Sequence, residues 1–191
     1  MILALLALSA TAASPIGGIG EPRVPAVRVR LAATSAVFAS PREVRLQVTI
    51  ENAGRDCYPI LIDPSFQPVA LNRPSLLLQL FLYDERQELV PMAKGFGSDL
   101  RGLRPSDLLL LNCGAFYGRY LDLSKPDWTY SLVKGAYRVR ARITCNLGTF
   151  MKSRRDLVRA VEGMVGLSPE SVGYMLADWH AESDDVTFEV R

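Results

Sequence analysis

Apolar and polar side chains alternate through the first three quarters of the chain, and a period of two predicts strands. In "AVRVRL", Val27, Val29 and Leu31 fall on one face and Arg28 and Arg30 on the other. "VRLQVTIEN" sets Val44, Leu46, Val48 and Ile50 against Arg45, Gln47, Thr49 and Glu51. "YPILID" is a short apolar run whose Pro59 suits an edge or a strand end. "LLLQLFLY" follows, and the charged turn "DERQE" joins it to "LVPM" as a hairpin. "LLLL" at 108–111 and "YGRYLDL" at 117–123 lead to "SLVKGAYRVRARITC" at 131–145. There Tyr137, Val139, Ala141, Ile143 and Cys145 share one face, while Arg138, Arg140, Arg142 and Thr144 share the other. "DDVTFEVR" closes the chain as a last strand. Short strands punctuated by Pro, Gly and Asn predict an all-β sandwich and not a βαβ fold.

Helical periodicity begins only after residue 150. "SRRDLVRAVEGMVG" starts at Ser153 with Asp156 three residues on, carries the stripe Leu157, Val158, Val161, Met164 and Val165, and stops at Gly166. "SPESVGYMLADW" starts again with Ser168 as N-cap and Pro169 at the first helical position; its stripe is Val172, Met175, Leu176 and Trp179. The pattern predicts a two-helix insertion, residues 150–184, before the last strand. So long a connection either docks on the end of the sandwich or carries function.

The stretch Leu132-x-x-Gly135-x-Tyr137-x-Val139-x-Ala141 resembles the tyrosine corner of immunoglobulin-like and fibronectin-III-like domains. The resemblance implies an immunoglobulin-like antiparallel β-sandwich of about seven to nine strands. It implies that Tyr137 begins strand F and sends its hydroxyl back to upstream backbone. The chain departs from antibody domains: Val139, not Cys, stands two residues after Tyr137, and no Trp is placed on a third strand. In that topology Cys57, Cys113 and Cys145 lie at the end that carries the insertion. Cys57 with Cys145 is the favoured disulfide, worth about 4–5 kcal/mol on the chain-entropy model, and Cys57 with Cys113 is the alternative.

Residues 1–13 read as a signal peptide: an apolar run from Met1 to Leu8, then Ala10-Thr11-Ala12 as an A-x-A cleavage pattern, without Lys or Arg ahead of it. The run is shorter than the roughly 20 residues of a membrane span; a membrane-attached N-terminus and a plain tail are the competing readings. Residues 14–25, rich in Gly and Pro, read as a linker, leaving 26–191 as one domain, secreted or periplasmic. The three cysteines fit export, and no C-x-x-C pair exists. A net charge of +2 gives no global field toward nucleic acid or anionic membrane.

His180 is the only histidine, so a nucleophile has one imidazole available as base; at a helix end beside Trp179 its charge interaction with that end is the simpler reading. "HAES" is not H-E-x-x-H, and Glu182, Asp184 and Asp185 lack EF-hand spacing and read as a solvated turn. A Cys3His zinc site from Cys57, Cys113, Cys145 and His180 lacks ligand spacing. The sequence therefore predicts no catalysis, no cofactor and no metal.

Two surface features remain. The row Arg138, Arg140, Arg142 is either offset by acidic neighbours, Glu189 being the candidate, or open to an anionic ligand; Arg28 and Arg30, or Lys152, Arg154 and Arg155, are possible extensions. Of the aromatics Phe116, Tyr117, Tyr120, Trp128 and Tyr130, alternation sends some to the core and leaves Trp128 and Tyr130 as the surface candidates. The expected function is a non-catalytic protein-interaction module whose insertion and adjacent loops recognise the partner. A carbohydrate-binding domain using Trp128 and Tyr130, and a secreted proteinase inhibitor, are the alternatives.

Overall fold

The computed structural model describes residues 25–54, 59–62, 67–68, 76–92, 109–125, 130–146, 159 and 177–191. In chain order the strands are β1 (Val27–Ala33), β2 (Val37–Phe38), β3 (Arg45–Asn52), β4 (Ile60–Ile62), β5 (Gln67–Pro68), β6 (Leu76–Tyr83), β7 (Leu109–Leu111), β8 (Phe116–Asp122), β9 (Gly135–Cys145), β10 (Trp179–Glu182) and β11 (Val186–Val190). The fold is all-β, as the alternation requires. Among the described residues no helix is long and apolar enough to cross a membrane.

Strands β1, β3 and β8 form one antiparallel sheet. A second sheet has the order β2-β11-β9-β6-β5, with β10 also on β9; its β2–β11 and β5–β6 pairs are parallel. β4 and β7 pair separately. The positions of β3 and β9 predicted to share a buried face do so. Leu46, Val48 and Ile50 of β3 and Tyr137, Val139, Ala141 and Ile143 of β9 are buried in a single apolar cluster with Leu78 and Leu82 of β6. β1 packs against β9, β10 and β11, and both larger sheets contribute side chains to that cluster.

β9 is the spine. It pairs with β6 along Leu76↔Cys145 to Tyr83↔Arg138, and on its other side with β10 and then β11. Gly135 opens it at φ +149°, a conformation that strains any residue with a Cβ. The Tyr137 hydroxyl donates to the Val133 carbonyl at 2.9 Å and accepts from the Val133 N–H at 2.8 Å. Its ring stacks on Phe188 at 5.3 Å, and Phe188 meets Phe38 edge-on at 5.6 Å.

The hairpin after β6 is present: Asp84 Oδ1 accepts from the N–H groups of Arg86 and Glu88 at 2.9 Å, and Gln87 takes φ 63°. Its return limb is reduced to bridges, Tyr83 to Leu89 and Met92 to Tyr130. Where a helix end was expected, Trp179 and His180 lie in β10. Both follow β9 in register, Trp179 opposite Cys145 and His180 opposite Thr144, because the Trp179 side chain fills the core rather than a helix stripe. The proposed insertion thus ends before Trp179 and not at 184; residues 150–176 of it, apart from Arg159, lie outside the described residues.

Candidate functional site

The outer face of β9 carries the three arginines, and the strand beside it supplies their counter-charges. Glu182 stands opposite Arg142 and Val186 opposite Val139, so Ser183, Asp184 and Asp185 occupy the interval that Arg140 and Ala141 span on β9. That extra residue is a β-bulge. In an unbroken strand Glu182 and Asp185 would face opposite sides; the bulge turns both carboxylates to the arginines. Ser183 keeps the ladder satisfied. Its N–H donates to the Ala141 carbonyl at 2.9 Å, and its hydroxyl accepts from the Ala141 N–H at 3.0 Å while donating to the Asp184 carbonyl.

Arg140 Nε donates to Asp185 Oδ1 at 2.8 Å, Arg138 reaches Asp185 Oδ2 at 3.3 Å, and Arg142 Nε donates to Glu182 Oε1 at 2.6 Å. Arg140 also lies 3.6 Å from Glu182 Oε2, which makes one network. The hydrogen bond from Arg140 holds the Asp185 carboxyl below its ordinary range, and that from Arg142 does the same for Glu182. The guanidinium of Arg138 covers the Tyr83 ring and that of Arg142 the Phe81 ring, each at 5.1 Å. These groups line a cleft of about 320 Å³. Every guanidinium of the row therefore has an acidic neighbour, but three guanidiniums share two carboxylates, so the face is largely offset and keeps one positive charge in excess.

The acids are Asp185 and Glu182, not Glu189. Glu189 stands opposite Ala136 and accepts from Arg191 at 3.0 Å. Arg28 and Arg30 do not extend the row: they sit on the other sheet, where both reach Glu51, at 3.3 and 2.8 Å. Lys152, Arg154 and Arg155 lie outside the described residues.

Tyr130, expected at the surface, is in the core. Its hydroxyl donates to the Leu80 carbonyl at 3.1 Å, and burial pushes its pKa up to about 12. Trp128 lies outside the described residues, as does Cys57, so the Cys57–Cys145 bridge is not described. Cys145 is buried at the end of β9, Cys113 donates to the Gly54 carbonyl at 3.2 Å, and these two cysteines are not bridged to each other. His180 is exposed on β10. Among the described residues no group of three His, Cys, Asp or Glu is placed to hold a metal ion.

The surface aromatics are instead on β8. Phe116 is 73% exposed and Tyr120 63%, with Gly118 between them. All three share the outer face with Glu51, Thr49 and Gln47 of β3, their respective partners in register. The sequence carried the signal: Leu121 and Leu123 are buried, so alternation puts Tyr117 with them and turns Phe116 and Tyr120 outward. No protein-family model matches the chain, and no curated protein is similar to it.

Proposed function

We propose that the chain is a secreted or periplasmic, non-catalytic binding module on an immunoglobulin-like β-sandwich, and that it binds through the outer face of β3 and β8. The bond between the Tyr137 hydroxyl and Val133 supports the fold assignment, since a tyrosine reaching upstream backbone at the start of a strand is the corner motif of that class. One observation carries the function: two large aromatic rings stand in solvent on a strand whose Leu121 is buried and whose Tyr117 is partly buried. Exposed rings on a rigid sheet present contact area at little conformational cost. The Arg138–Arg140–Arg142 face is the weaker candidate, because an anion there competes with carboxylates already in place.

Hydroxyl-radical footprinting tests this, with and without a soluble extracellular and envelope extract of the source cells. Phe116 and Tyr120 are expected to lose reactivity when the extract is added. Equal reactivity in both conditions overturns the proposal.

A further inference from the structure

We infer that the ligand of the β3–β8 face is an extended polysaccharide chain, an assignment that rests on the binding surface proposed above. The rings of Phe116 and Tyr120 are borne by positions four residues apart on one strand, about 13 Å along it, a span that takes more than one pyranose ring of a linear chain. Beside this aromatic row runs a parallel polar one on β3: the Gln47 amide, the Thr49 hydroxyl and the Glu51 carboxylate, the last held by Arg28 and Arg30. A sugar chain has the matching anatomy, with C–H faces that stack on rings and hydroxyls at the edge that both donate and accept. A protein partner anchoring on the same rings would have to match the amide, hydroxyl and carboxylate next to them with its own polar groups, whereas a sugar chain carries hydroxyls along its whole edge.

Gly118 fits the same picture. A Cβ there would stand 3.2 Å from Thr49 Oγ1 and 3.8 Å from Gln47 Nε2. With glycine, the floor between the two rings stays low and the hydroxyl and amide stay open from above. The arrangement is a pair of exposed rings with a glycine between them, bordered on the β3 side by hydrogen-bonding groups.

Affinity electrophoresis in native gels cast with glycol chitin, hydroxyethylcellulose, xylan, laminarin or dextran tests the assignment. At least one polymer is expected to retard the wild-type chain. Phe116→Ala and Tyr120→Ala should each weaken retardation about tenfold in apparent affinity, with unchanged mobility in polymer-free gels, whereas Tyr120→Phe, which keeps the ring, should stay close to wild type. Retardation by none of the polymers, or retardation of both alanine variants equal to that of wild type, overturns the assignment. The footprint separates this failure from that of the binding surface. Protection of Phe116 and Tyr120 by the extract is expected to survive protease digestion of the extract and to vanish after its digestion with chitinase, cellulase, xylanase, laminarinase and dextranase together. Protection that survives these glycosidases but not protease removes the polysaccharide and keeps the surface; absence of protection removes both.

Discussion

Two tyrosines near each other in sequence show how little a residue type says and how much its neighbours do. Tyr137 begins β9, and its hydroxyl closes a small ring with both polar groups of the Val133 backbone. Tyr137→Phe leaves the stacking on Phe188 intact and removes only those bonds. It is expected to lower stability by about 1–2 kcal/mol, read from urea denaturation; an unchanged midpoint means the corner contributes nothing. This bond was legible in the sequence, since Leu132, Gly135 and Tyr137 stand at motif spacing. Tyr130 has no such local signal, because alternation leaves it among the surface candidates. What fixes it is a distant acceptor, the Leu80 carbonyl fifty residues away in sequence, which no local pattern announces. For Phe116 and Tyr120, alternation counted backward from buried Leu121 puts both on the outer face.

At the scale of elements, β9 was readable throughout because each inward position is apolar and each outward one polar or charged between Tyr137 and Thr144. The bulge was not readable. Ser183, Asp184 and Asp185 look like a solvated turn, and only the registers on either side reveal one residue too many. Its effect is electrostatic: the hydrogen bonds from Arg140 and Arg142 depress the carboxyls of Asp185 and Glu182 below their unfolded values. A group so shifted stabilises the fold above its unfolded pKa and loses that contribution as pH falls through its folded one. Melting temperatures of wild type should therefore exceed those of Asp185→Asn and Glu182→Gln at neutral pH. The gap should begin to close near 3.8 for Asp185 and 4.5 for Glu182 and be gone once both carboxyls are protonated. A gap that stays constant through acidification assigns the difference to something other than charge.

For the whole molecule, the join between sheets rests on a polar side chain. Asn52 is fully buried at the end of β3; its Nδ2 donates to the Leu111 carbonyl of β7 at 2.9 Å, and its Oδ1 accepts from the Gly54 N–H at 3.2 Å. Asn52→Ala strands the Leu111 carbonyl and is expected to cost about 2–3 kcal/mol, measurable by urea denaturation, with Asn52→Asp no better because its second oxygen cannot donate when ionised. The alternation made the all-β class legible but not this join, nor the parallel pairs β2–β11 and β5–β6. Periodicity tells which side of a strand is wet; it says nothing about which strand lies next to it.

The place of β11 has a temporal consequence. It is the last of the described strands, yet it lies between β2, the second of them, and β9. While the chain is being made, β2 has no seat in its sheet and half of β9 keeps an open edge until Val186–Val190 has emerged. Closure of this sheet is therefore a long-range event, and the nascent chain must be shielded from other sticky edges until that strand arrives.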